Sequence, residues 1–259
     1  MKIESVVLKA KTKNNLPPVL LVHGAWHAAW CWQEFAVALN NKGYEVHYFS
    51  LPGHGGSTID RKNLNAYSLN DYVDFLSERI DEISPTPIVI GHSMGGALLQ
   101  IYLQNKILPA AILIASIPRQ GTFSLILRIA LKFPLTLLKA LFTYKSEVII
   151  ATPGRARALF FSSDNPIDVN VTQKLLGPES MTILPPLLYW GTFKKINPQT
   201  PVYVIAGDKD AITSVAEQRD LARHLDAKVS IVTGQAHCIM LEPKSQLVVE
   251  MIDEWIQSL

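Results

Sequence analysis

Ile88-Val89-Ile90-Gly91-His92-Ser93-Met94-Gly95-Gly96-Ala97 carries a short β-branched run through Gly-x-Ser-x-Gly into a helical pattern that reaches Leu103. Each residue type here has a physical reason. A buried strand that turns sharply into a helix pushes the serine hydroxyl into the open, and flanking glycines relieve crowding around a strained residue. The start of the helix offers unpaired backbone N–H groups and the positive end of a dipole, where developing negative charge can be held. The segment thus predicts a strand-turn-helix unit with Ser93 as a nucleophile.

Similar apolar runs lie on both sides of it. Val19–Val22, Val46–Phe49, Ala111–Ile114, Val202–Ile205 and Val229–Val232 read as buried strands, and residues 5–10 as an edge strand. Between them fall helical patterns. Ser68 with Asp71, and Ser214 with Glu217, have the spacing of capping boxes, and Leu247–Ile256 reads as a terminal helix. Strands alternating with helices imply an α/β fold, a mostly parallel doubly wound sheet covered on both faces. The alternation stops between Arg119 and Pro198, where the sequence is helical in character and interrupted by prolines. This insertion holds 10 Lys and Arg against 4 Asp and Glu, a net +6, so the remainder carries −4. From Arg119 to Ser146 there is no acid. The reading divides the chain into a core of residues 1–118 and 199–259 and a helical insertion of residues 119–198.

The whole chain has 259 residues, 48% of them hydrophobic and 18% charged, with a net charge of +2. That composition suits one domain with an insertion and excludes disorder. The small net charge argues against a nucleic-acid partner. The two cysteines, Cys31 and Cys238, cannot form a disulfide framework and fit a reducing compartment. The N-terminus lacks the apolar core and cleavage site of a signal peptide, and no apolar run is long enough to span a membrane. The expectation from these features is a soluble cytoplasmic protein.

A serine nucleophile needs a base that is oriented by an acid. Both types follow late strands. Gly207-Asp208-Lys209-Asp210 comes after Val202–Ala206, and Thr233-Gly234-Gln235-Ala236-His237-Cys238 comes after Val229–Val232. The chain order is therefore serine, acid, histidine, the order of nucleophile-elbow hydrolases.

With these pieces in order, the chain resembles the α/β-hydrolase family over nearly its whole length. The Gly-x-x-Asp turn of that family resembles Gly207 to Asp210, which implies Asp210 as the acid and leaves Asp208 a turn residue. The resemblance implies a triad of Ser93, Asp210 and His237. Leu21-Val22-His23-Gly24-Ala25-Trp26-His27 resembles the family's His-Gly turn, so the backbone N–H groups of Ala25 and Met94 are the implied oxyanion hole. His23 is then a loop-fixing residue. Pro52-Gly53-His54-Gly55-Gly56-Ser57 resembles a loop that shapes the backbone near the pocket in this fold.

The nearest branch is that of esterases and hydroxynitrile lyases. Its lyases carry Thr at the place of Gly24 and Lys directly after the histidine. This chain has Gly24 and Cys238, which points to the esterase side, although related esterases often place Met where Cys238 stands. The expected activity is cleavage of lipophilic carboxylic esters. Lactone opening, amide cleavage or perhydrolysis in the same pocket, and a ligand-binding receptor on this fold, are the alternatives.

In the family an insertion after the sixth strand caps the nucleophile, and residues 119–198 occupy that place. Candidate pocket residues are Trp26, His92, Phe142, Leu187 and Trp190, with Phe160, Phe161 and Leu188 as further apolar members. Arg128, Lys132 and Lys139 share one side of a helical projection, with Pro134 predicted to kink it. A greasy, basic insertion of this kind suggests peripheral membrane contact. No metal-ligand spacing and no nucleotide-binding glycine motif occurs, so neither a metal nor a cofactor is expected.

Overall fold

The computed structural model describes residues 1–11, 16–188 and 190–259, and for Trp190 its backbone alone. Among these, seven strands form one sheet: β1 (Ser5–Leu8), β2 (Val19–Val22), β3 (Val46–Phe49), β4 (Ile88–His92), β5 (Ala111–Ile114), β6 (Val202–Gly207) and β7 (Lys228–Val232). Their spatial order is β1-β3-β2-β4-β5-β6-β7. Only β1 runs antiparallel, pairing Ser5 with Phe49 and Leu8 with Val46 at the edge. The inner strands β2, β4, β5 and β6 are buried at every position, whereas β1 is buried at none. Helices on both faces of a parallel sheet leave no solvated side, so its central strands read as continuous apolar runs.

Alternate residues of each strand feed opposite faces. Ile88 and Ile90 pack in one apolar cluster and Val89 in the other. The first cluster takes α1 (Gln33–Asn41) and α10 (Ser245–Gln257), with Trp32, Phe35 and Trp255 as its bulky members. The second takes α2 (Leu69–Asp81), α3 (Met94–Tyr102) and α9 (Val215–Leu225). Both expected capping boxes form. Ser68 accepts from the Asp71 N–H and Ser214 from the Glu217 N–H, while each acid bonds back to the cap residue's own N–H. Each such cap is worth about 1 kcal/mol.

Residues between β5 and β6 hold helices and turns: α4 (Phe123–Lys132), α5 (Pro134–Thr143), α6 (Pro153–Phe160), α7 (Val169–Leu175) and α8 (Leu184–Leu188). The insertion follows the fifth strand of this sheet, one fewer than the resemblance implies. Pro134 does more than bend a helix. Phe133 before it is forced off helical geometry, at φ −139° and ψ 58°, and Pro134 opens a separate helix at its first position. Arg128 also departs from the expected basic stripe. Its guanidinium turns inward to Glu217 at 2.7 Å and to the carbonyl of Ile212. In the same region Arg119 pairs with Asp220 at 2.9 Å.

Candidate active site

Ser93 sits between β4 and α3 with φ 52° and ψ −113°. A non-glycine residue held there costs about 1–3 kcal/mol and persists only where its surroundings fix it. Three backbone bonds do so. The Ser93 N–H donates to the Ile114 carbonyl at 3.0 Å, and the Ser93 carbonyl accepts from the N–H groups of Ala97 and Ile117. Close packing explains the glycines. A Cβ on Gly95 would stand 2.4 Å from the Val22 carbonyl oxygen, so the helix could not approach β2 with any side chain there.

At the ends of β6 and β7 the acid and the histidine meet. His237 Nδ1–H donates to Asp210 Oδ2 at 2.8 Å, and both side chains are buried. The Asp210 carboxylate also accepts from the N–H groups of Ile212 and Thr213, at 2.7 and 3.0 Å, and from Thr213 Oγ1 at 2.7 Å. Four donors therefore lock its orientation. With Nδ1 bonded to Asp210, Nε2 is the ring nitrogen left free to exchange a proton with a neighbouring hydroxyl. No hydrogen bond joins Ser93 Oγ to that ring among the described residues, and such contacts commonly close only around substrate. Asp208 lies outside this group and accepts from the Gly234 N–H at 2.6 Å, which pins the histidine loop.

His92 connects the two halves. Its Nε2–H donates to the His237 carbonyl at 3.1 Å, and the two rings lie 4.8 Å apart. Burial, reinforced by the nearby His237, holds the His92 imidazole well below its ordinary pKa, so it is neutral. From the insertion, Phe160 stacks on the His237 ring at 6.2 Å, and its carbonyl accepts from the Cys238 N–H at 3.0 Å.

Ser93, Ala25 and Met94 open on one apolar cavity of about 90 Å³. That is several times the space one water needs. Its far walls come from the insertion, including Leu125, Ile129, Leu137 and Leu187. Met94 is the first residue of α3, so its N–H has no partner within the helix. Ala25 lies in the turn that follows β2. His23 holds that turn: its Nε2 accepts from the Leu51 N–H at 2.9 Å, and its Nδ1–H donates to the Gly24 carbonyl at 2.8 Å. Trp26, at φ 63°, continues the turn, and its carbonyl accepts from Gly177 of the insertion at 2.9 Å.

The model of the Alpha/beta hydrolase family matches residues 19–250. The chain belongs to this family. Norfluorocurarine synthase 1 of Strychnos nux-vomica is 35% identical over 103 residues, 38% of each chain. Methyl jasmonate esterase 1 of Vitis vinifera is 30% identical over 90 residues, 33% of each chain. The chain spans less than half the length of the curated relatives it matches. The fold is shared with a monoacylglycerol lipase of Paleococcus ferrophilus, at TM-score 0.70 and 21% identity, over 100% of this chain and 99% of that one.

Within this α/β-hydrolase framework, two expected pocket residues lie elsewhere. Phe142 does not line the cavity: it projects from the outer side of α5 and is 93% exposed. His92 is fully buried and does not line the cavity; its ring is held instead by the bond to the His237 carbonyl. Trp26 and Leu187 do line the cavity. The side chain of Trp190 falls outside the described residues.

Sequence reading passed over two buried anchors that tie the insertion to the hydrolase core. His54 Nε2–H donates to Glu179 at 3.0 Å, and the Tyr72 hydroxyl donates to the other oxygen at 3.3 Å. Glu242, five residues after His237, accepts from the Ser162 N–H and hydroxyl and from Asn165. Glu179 stands between Pro178 and Ser180 and Glu242 between Leu241 and Pro243, contexts that equally mark an acid in a solvated loop.

Proposed function

We propose that this chain is a serine hydrolase that cleaves carboxylic esters of lipophilic substrates through an acyl-enzyme. The observation that carries the reading is the buried His237–Asp210 bond at 2.8 Å, set after β6 and β7 at the same end of the parallel sheet as a strained Ser93 facing an apolar cavity. In this scheme His237 Nε2 takes the Ser93 proton as the hydroxyl oxygen attacks the ester carbonyl. The N–H groups of Ala25 and Met94 stabilise the oxyanion, each by about 2.7–4 kcal/mol. His237 then protonates the leaving alcohol, and water releases the acid by the same route. Asp210 orients the ring and stabilises its charged form. No step requires a metal or a cofactor.

Residues 119–198 act as the cap in this scheme. A cavity of about 90 Å³ walled by Leu125, Ile129, Leu137 and Leu187 suits a compact apolar acyl group. Among relatives, the name methyl jasmonate esterase supports ester hydrolysis at such a site. Gly24 supports it too, because a Cβ there would stand 2.8 Å from Ser93 Cβ. The threonine expected of the lyases would not fit this turn. Ser93→Ala should lower ester turnover by several powers of ten with an unchanged melting temperature. Turnover should be measured across a panel of esters, lactones and amides; an undiminished Ser93→Ala rate would refute the assignment, and a preference for lactones would redirect the substrate class.

A further inference from the structure

We propose that the outer face of α4 and α5 is a docking surface for an anionic lipid bilayer. Two helices of the insertion turn one side inward and a second apolar side outward. Leu125, Ile126 and Ile129 of α4, with Leu137 and Ala140 of α5, line the cavity. On the opposite side Phe123, Leu127 and Leu131 follow one another at helical spacing, then Leu135, Leu138 and Phe142. Leu131 is 78% exposed, Leu135 79% and Leu138 63%. Single exposed leucines are ordinary, but six large apolar side chains exposed on two consecutive helices are not.

Charge selects the occupant. Lys132, Lys139 and Lys145 are exposed among these leucines, and no acid occurs from Arg119 to Ser146. Lys132 Nζ donates to the Ala158 carbonyl at 3.3 Å, and no carboxylate pairs with any of the three lysines among the described residues. A second copy of this chain would set lysines against lysines. An anionic bilayer instead accepts the leucines below its headgroups and neutralises the lysines at their level. No described helix is long and apolar enough to cross a membrane, so the contact lies along the surface. Leu141 belongs to both sides, lining the cavity while more than half exposed, which makes the docking face continuous with the site.

The test is flotation of the full chain with vesicles of phosphatidylcholine alone or with added phosphatidylglycerol. The intact chain should float with the anionic vesicles and lose binding in high salt. Leu131→Glu/Leu135→Glu/Leu138→Glu should reduce the bound fraction at least about tenfold, and Lys139→Gln/Lys145→Gln should weaken it about fivefold per lysine. Melting temperature and turnover of a dissolved short ester should be unchanged, since none of these side chains lines the cavity. The lysine variant keeps the test decisive should the glutamate variant fail to fold. Absence of vesicle binding by the intact chain, or equal binding by the folded variants, would overturn the proposal. So would a concentration-dependent dimer that the glutamates abolish while vesicles remain unbound.

Discussion

At the scale of single residues, the site is built from backbone geometry as much as from side chains. Ser93 and Trp26 both adopt positive φ without being glycine, and both line the cavity together with Ala25 and Met94. Gly24 makes that closeness possible, since an added Cβ would meet Ser93 Cβ at 2.8 Å and His92 Nδ1 at 2.9 Å. We expect Gly24→Thr to cost on the order of 1–3 kcal/mol of stability and to abolish ester turnover by displacing Ser93. Gly154 is the matched control: nothing lies within 4 Å of its added Cβ, and it occupies the first turn of α6. Gly154→Ala should leave turnover intact and keep stability within about 1 kcal/mol of the parent. Thermal melts and ester turnover on both variants distinguish local crowding from a general intolerance of glycine replacement.

At the scale of elements, what was legible in the sequence was whatever depends on neighbours in the chain. Both capping boxes and the inner strands could be read because a cap spans four residues and a buried strand four to six. Gly91 to Gly95, the Asp208–Asp210 turn and His237 could be located for the same reason, each being a short turn after a strand. The choice of Asp210 over Asp208 rested on the family resemblance. The direction of a side chain after a helix break could not. Phe142 and Arg128 were misplaced because Pro134 divides one expected helix into two, and Glu217, which captures Arg128, is 89 residues away. The His54–Glu179 anchor spans 125 residues and was invisible for the same reason. That anchor makes a pH prediction whose sign opposes that of its neighbours. Burial lowers His23, His27 and His92, His27 to about 4, so the unfolded chain binds their protons first. Their contribution is full above the ordinary 6.5 and is lost as pH falls below it. For His54, burial is outweighed by the charge of Glu179 and its hydrogen bond, which raise the pKa. Its contribution is full below 6.5 and is lost as pH rises through the raised value. His54→Gln should therefore lower the melting temperature most below pH 6.5, with the gap closing as pH rises through the raised value. A gap that is constant or widens with pH would show that the pair does not act as a charged anchor.

At the scale of the molecule, a net charge of +2 conceals two unlike parts. The sheet and its helices carry the excess of acids, and the insertion carries a basic, leucine-rich outer face over the cavity that Ser93 faces. Contacts at Glu179, Glu242, Glu217 and Asp220 join the two, and residues of both parts line the cavity. Activation of Ser93 in this cavity can be measured by exposing the native protein to a fluorophosphonate probe and mapping the adduct by peptide mass spectrometry. A single adduct on Ser93 is expected, lost when the protein is unfolded first or when His237 is replaced by Ala. A native, folded protein that leaves Ser93 unlabelled while ester turnover persists would contradict this activation.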